Sequence, residues 1–236
     1  MLDGLLLVDK PKGWTSFDVV AKVRGIIRSE LRAQNPGLVM KVRVGHTGTL
    51  DPAATGLLML AIGKATKRVP ELIRHDKTYE AEMTLGITSS TGDQEGVMTP
   101  HTPQLSIGEG ELRNVLEGFV GEQLQTPPAF SAIKVGGKRS YELARAGKEV
   151  KLEPRPVSIH SIELNHYEWP TARIVCRVSS GTYIRSLVAD IGHKLGCGAY
   201  MSELRRTSIG SYTIGDALTV DALNSARIAA HLIPLE

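Results

Sequence analysis

Two hydrophobic periods recur along this chain, and each predicts its own kind of element. A short apolar run over residues 5–9 predicts a buried strand, broken by Lys10-Pro11-Lys12-Gly13. Val19, Val20, Val23, Ile26, Ile27 and Leu31 then fall on one helical face, with Ser16 as the expected N-cap. Asn35-Pro36-Gly37 marks a loop. Residues 45–56 are rich in Gly, Thr and Pro yet lie between apolar runs, which predicts a fixed loop inside the fold. Residues 77–85 alternate, with Tyr79, Ala81, Met83 and Leu85 on one side of a half-buried strand. Helical spacing returns at Leu112, Val115, Leu116 and Phe119. After Pro127-Pro128, residues 130–135 predict a short strand, followed by Gly136-Gly137 and a basic stretch to Lys151. Residues 157–164 and 172–178 alternate as strands, 184–195 are helical, 203–209 extended and 220–232 helical. Strands outnumber helices and lack a regular βαβ rhythm, so the expected architecture is one α+β domain around a mixed, mainly antiparallel sheet.

Composition narrows the class. The 236 residues are 42% hydrophobic and 22% charged, ordinary for a globular protein. The longest apolar run, residues 57–62, is far shorter than the ~18 residues of a membrane helix, and the N-terminus lacks the pattern of a signal peptide. Two cysteines cannot form a multi-bridge framework, and neither CxxC nor HxxEH occurs, so Cys176 and Cys197 are expected to be reduced core residues. The net charge of +3 conceals an asymmetry: residues 127–160 carry 7 basic and 3 acidic side chains, and residues 78–126 carry 1 and 8. That is the distribution a polyanion-binding face requires, although separate solvated faces would produce it too.

The run Gly45-His46-Thr47-Gly48-Thr49-Leu50-Asp51-Pro52-Ala53-Ala54-Thr55-Gly56 is the first candidate for chemistry. Pro52 biases Asp51 towards an extended conformation, which would project one carboxylate from a stiff loop. The run matches neither GxxxxGK[ST] nor GxGxxG. An Asp-Pro turn bonding its own backbone is the plainer alternative. Lys77-Thr78-Tyr79 opens a strand with a phenol, Gly181-Thr182-Tyr183-Ile184-Arg185 places a guanidinium at a strand-to-helix turn, and Glu203-Leu204-Arg205-Arg206-Thr207 sets Leu204 between polar neighbours.

Taken in order, GHTGTLDPxATG, the Lys-x-Tyr pair, GTYIRS and LRR resemble the TruB family of tRNA pseudouridine synthases. DKPKGWTS at residues 9–16, SAIKVGGKRSYELARAG at 131–147 and KLGCGAYMSELRR at 194–206 extend the similarity to most of residues 5–223. The resemblance implies a single pseudouridine-synthase-like α+β catalytic domain that isomerises uridine, usually position 55 in the T loop of tRNA, without metal or cofactor. Asp51 matches the catalytic aspartate, acting either as a nucleophile or by taking a sugar proton. Tyr79 matches the tyrosine that stacks on the target base, and Arg185 the arginine paired with the aspartate. Leu204 matches the apolar wall of the uracil pocket, and His46 the residue that fills the space left by extruded nucleotides. Lys10, Pro11 and Gly48 fall in motifs that brace the catalytic loop. Lys134, Lys138, Arg139 and Lys148, in the stretch 131–151, match an insertion that grips RNA phosphates. Asp93 falls in a T-x-T-x-D-x-x-G pattern and is grouped with the RNA-binding positions.

Three departures accompany the match. Ser90 stands where the pattern usually has aspartate, residues 29–41 are longer than the family requires, and the chain stops at Glu236 where many relatives continue into a PUA domain. One catalytic domain over residues 1–236 without a PUA domain is therefore expected, acting on the T arm of tRNA in the cytoplasm. No membrane, guide RNA or obligate protein partner is expected. Guide-dependent catalytic subunits of box H/ACA particles share the loop but generally lack the basic insertion, which favours a standalone enzyme. A non-catalytic RNA chaperone is the alternative from another class, and intact Asp51, Tyr79 and Arg185 count against it.

Overall fold

The apolar run that shows no period at all, residues 57–62, is the middle of the first sheet. In the computed structural model, which describes residues 2–36, 41–101 and 106–235, the elements follow one another as β1 (Gly4–Lys10), α1 (Ser16–Gln34), β2 (Val44–His46), β3 (Thr55–Ile62), α2 (Val69–Leu72) and β4 (Lys77–Leu85). Next come β5 (Ile87–Ser89), β6 (Met98–Pro100), α3 (Glu109–Glu117), β7 (Gly121–Gln125), β8 (Lys134–Val135), β9 (Lys138–Arg139) and α4 (Ser140–Arg145). The chain ends with β10 (Arg155–Glu168), β11 (Thr171–Val178), α5 (Ile184–Lys194), β12 (Ala199–Ile209), β13 (Tyr212–Thr213), β14 (Leu218–Thr219) and α6 (Ser225–Ala230). It divides into two compact units, residues Met1–Tyr79 with Arg205–Glu236, and Glu80–Leu204. The loop expected at 35–37 and the long segment 29–41 fall in part on residues 37–40, outside the described residues.

In the first unit β1 lies antiparallel to β3, with Leu6 opposite Leu60, and parallel to β14, with Val8 opposite Leu218. Leu6, Val8, Leu58, Leu60 and Ile62 pack against Val19, Val20, Val23 and Ile27 of α1. The opposite faces of the same strands, Leu5, Leu7, Leu57, Met59 and Ala61, pack against Ala65, Leu72 and Ile209. A strand covered on both faces carries no alternation, because every position is apolar. The end of β12 runs parallel to β3, pairing Arg206 with Gly56. Gly56 has φ +103°, and a Cβ there would lie 2.3 Å from the Arg206 carbonyl oxygen, so only glycine permits this approach.

Two expected helix ends are corrected. Thr15, not Ser16, caps α1: its hydroxyl accepts the Asp18 amide at 3.0 Å, and the Asp18 carboxylate accepts the Thr15 amide at 2.8 Å. Asp18 stands three residues after Thr15, the spacing of a capping box. The helix expected over 220–232 is a 3₁₀ turn, Val220–Ala222, followed by the short α6. Asn224 separates them, since its side chain accepts the Arg227 amide at 2.9 Å and starts a new helix.

In the second unit β10 lies between β11 and β7, antiparallel to both. Along β11 the buried Ala172, Ile174, Cys176 and Val178 alternate with more exposed positions, and α3 packs against β10 and α5. The strand expected over 130–135 shrinks to β8, paired with β9 across Gly136-Gly137 at φ +57° and +85°. Positive φ at both residues is the primed hairpin turn that glycine favours. Ile133 and Ser131 instead spend their carbonyls on the amides of Ser140 and Tyr141, at 2.7 and 3.0 Å, and so anchor α4. Cys176 and Cys197 are free and buried, as expected, with burial pushing the Cys176 thiol up to about 12. No helix among the described residues is long and apolar enough to cross a membrane.

Candidate active site

In the first unit the chemistry concentrates on the loop between β2 and β3. Asp51 is half-buried at its tip, and its carbonyl accepts the Ala54 amide at 3.1 Å, closing a turn over Pro52. Five separate parts of the fold hold this loop. The Ser16 hydroxyl donates to the Leu50 carbonyl at 3.0 Å and accepts the Leu50 amide at 2.8 Å. The Thr47 amide donates to the Met59 carbonyl at 3.0 Å, and the Gly13 amide to the Pro52 carbonyl at 2.8 Å.

The other two supports are buried cations. Lys10 donates from Nζ to the carbonyls of Trp14, Pro11 and Pro52, at 2.8, 3.1 and 3.4 Å. Burial lowers its pKa to about 8; Asp51 and Asp18 favour the charged form, and Arg206 disfavours it. Arg206 is 1% exposed and donates to the Leu57 carbonyl at 2.8 Å, to that of Gly48 at 3.1 Å and to that of Thr49 at 3.5 Å. Burying a guanidinium costs several kcal/mol unless its donors are satisfied. Here they are satisfied by loop carbonyls, so the loop cannot move without stranding a charge. Lys10 and the Gly48 carbonyl thus both take part in the hydrogen bonding of this loop, while Pro11 is exposed and contributes its carbonyl. Asp9 adds an ion pair with the fork of Arg205, at 2.8 and 3.2 Å.

His46 ends β2 opposite Leu60 and is half-buried. Tyr79, 8% exposed, lies on the inward side of β4. Lys77, two residues before it, is buried and donates to the carbonyls of Ile73 and His75 at 2.6 and 2.5 Å; burial lowers its pKa to about 8.

In the second unit Arg185 lies in the first turn of α5 and is 6% exposed. A cation at a helix N-terminus opposes the helix dipole, so it needs acceptors from elsewhere. Arg185 donates to the carbonyls of Phe130 and Thr91 at 2.9 and 3.2 Å, and lies 3.3 Å from the Asp93 carboxylate. Asp93 is itself buried and accepts the Thr91 hydroxyl and the Glu95 amide. Its charge is directed at Arg185 inside the unit. Gln125, which no motif or period marks, clamps the turn before Arg185. Its side chain donates to the Tyr183 carbonyl at 3.0 Å and accepts the Tyr183 amide at 2.8 Å.

Leu204 is half-buried in β12. Lys134, Lys138, Arg139 and Lys148 are all exposed, and none shares the buried hydrogen bonding of Lys10 or Arg206. Arg139 and Arg145 lie 6.0 and 5.7 Å from the centre of the Tyr141 ring, which gathers positive charge around one aromatic ring.

Comparison with known proteins follows this geometry closely. Residues 37–184 match the model of the TruB family pseudouridylate synthase N-terminal domain, and 185–234 that of the tRNA pseudouridylate synthase B C-terminal domain. The chain is 42% identical over 237 residues to tRNA pseudouridine synthase B of Opitutus terrae, covering 99% of this chain and 93% of that protein. It is 41% identical over 235 residues to the protein of the same name from Clostridium kluyveri, covering 100% and 77%. Among solved structures it is similar to a chain of a Cbf5–Nop10–Gar1 complex, with TM-score 0.69 and 32% identity over 93% of this chain and 54% of that one. It is likewise similar to a chain of an H/ACA RNP bound to a substrate RNA containing 2'-deoxyuridine, with TM-score 0.65 and 30% identity. It covers 92% of itself and 51% of that chain, so it spans about half the length of these structural neighbours.

Proposed function

The chain belongs to the TruB family of pseudouridine synthases, and from that premise we propose that it isomerises uridine 55 in the T loop of tRNA to pseudouridine. The observation that carries this reading is the half-buried Asp51 carboxylate on a loop pinned by Lys10, Arg206 and Ser16. The reaction breaks the N1–C1′ bond, turns the uracil, joins C5 to C1′, removes the C5 proton and leaves a proton on N1. No atom is gained or lost, so one well-placed carboxylate can start it, whether by adding to the ribose or by taking a proton from it. Fixing the carboxylate in advance lowers the entropic cost of reaching the transition state.

In this reading Tyr79 stacks on the flipped uracil and its hydroxyl assists removal of the C5 proton. Leu204 walls the base, and His46 fills the space the nucleotide vacates. Arg185 supplies positive charge to the reacting centre, and Asp93 positions Arg185 instead of touching RNA. Lys134, Lys138, Arg139 and Lys148 hold T-arm phosphates. The basic insertion supports a standalone, guide-independent enzyme of the cytoplasm. A T-arm transcript incubated with the protein, then treated with carbodiimide and read by primer extension, should stop at position 55. Absence of that stop with the wild-type chain, under conditions where the transcript is bound, would refute the assignment.

A further inference from the structure

The end of β3 remote from Asp51 opens onto a cavity of about 320 Å³. This lies within the range of ~300–1,000 Å³ for small-ligand sites. Its walls are aliphatic, with Ile27 and Leu31 from α1 and Ile62 from β3. Lys41, Arg43, Lys64 and Lys67 also line it, all four are exposed, and none of the described lining residues is acidic. The Gly63 amide donates to the Arg43 carbonyl at 2.9 Å, which fixes the wall between two of these cations. Asp3, outside the lining, accepts the Lys64 amide at 2.7 Å and stands 4.0 Å from its ammonium, so it offsets part of one charge only.

We propose that this cavity binds a nucleotide unit, with the base against the aliphatic walls and phosphates on the cationic rim. This rests on the proposed tRNA activity. A single carboxylate, as on a fatty acid, would leave most of the rim's charge unmatched, whereas successive phosphates would engage it. The walls offer no side-chain hydrogen-bonding group to a base edge, so recognition is by shape and charge and tolerates any base. β3 runs from Thr55, just after the Asp51 turn, to Ile62 in the cavity wall, about 23 Å at ~3.3 Å per residue. The bound nucleotide is therefore a second point of contact on the RNA, distinct from the reacting uridine. The same chemistry would accept a free nucleoside diphosphate, and the experiment separates the two sources.

Two variants test the site, Lys41→Glu/Lys67→Glu and Leu31→Trp, the second filling the cavity without changing charge. If an RNA nucleotide is the ligand, both raise KM for full-length tRNA about tenfold, leave kcat unchanged and leave an isolated T-arm hairpin unaffected. If a free nucleotide is the ligand, calorimetric titration with ADP shows binding to the wild type that both variants lose. Equal effects on hairpin and full-length tRNA, an effect of the charge variant not reproduced by Leu31→Trp, or no effect on either RNA together with no ADP binding would overturn the proposal. Failure of the wild type to convert full-length tRNA would instead sink the assigned reaction, and the ADP titration would still judge the cavity.

Discussion

The Asp51 loop and the stretch 131–151 are both poor in regular structure, yet they are built on opposite plans. The loop spends buried cations on its own carbonyls: Lys10 and Arg206 reach Pro52, Gly48 and Thr49 from two different strands. The stretch 131–151 turns its cations outwards, on two-residue strands joined by a glycine pair. Positive charge in the first place holds backbone, and in the second it faces solvent, where the function proposed above uses it as contact surface. A reacting carboxylate must stay within a fraction of an ångström of its target. Phosphates bound largely through counterion release tolerate mobile partners.

The difference can be broken most severely at Asp51. Asp51→Asn should reduce single-turnover conversion by a thousandfold or more while RNA affinity changes by less than about tenfold, roughly 1.4 kcal/mol. Near-normal turnover would remove the loop from the chemistry. Arg206→Met strikes the scaffold. It strands the carbonyls of Leu57, Gly48 and Thr49, and should lower stability by about 3 kcal/mol and turnover by about a hundredfold through misplaced Asp51. Urea unfolding and single-turnover assays would read the two losses, and loss of affinity without loss of turnover would contradict the scaffold role.

Lys138→Ala, Arg139→Ala and Lys148→Ala combined should do the reverse. Turnover at saturating RNA stays unchanged, and the slope of log affinity against log salt becomes shallower by roughly 2–3 units. An unchanged slope would mean that these side chains are solvated and nothing more.

The smallest effect separates buried from exposed cations by pH. Lys10 and Lys77 titrate near 8 in the fold against an ordinary 10.5. Below pH 8 both folded and unfolded chains hold these protons. Above it the unfolded chain holds more, so stability rises with pH. Cys176, held at about 12 against an ordinary 9, has the opposite sign once its unfolded thiol ionises. Urea midpoints should therefore climb from pH 8, and climb about half as steeply from pH 9 to about 10.5, where the one cysteine offsets one of the two lysines, and Lys77→Met should weaken the climb.

How much of this was legible in the sequence depended on whether a residue's environment left a period or a motif behind. The alternation of Tyr79, Ala81, Met83 and Leu85 announced β4 because only one side of it is buried. β3 announced nothing, since both its faces are covered. Asp51 and Arg185 stood out once motifs were matched, but Arg206 looked like one more basic residue in a charged run. Its burial depends on pairing with Gly56, a contact of 150 positions in the chain. Gln125 lies 58 positions from Tyr183. The choice between Thr15 and Ser16 was decidable, because Asp18 stands at capping-box spacing from the first and not the second. Freed from capping, Ser16 is available to Leu50.

That single hydroxyl makes the first turn of α1 and the Asp51 loop parts of one cooperative element. The Leu50 amide is sealed by a side chain that sits on the helix, so its exchange with deuterium should follow opening of α1 and not local fraying of the loop. Slow exchange at Leu50, matched to the amides of Val20 and Val23, would mean that this enzyme has no partly unfolded state in which the helix survives and the loop is lost. Heat would then inactivate it and melt it at the same temperature.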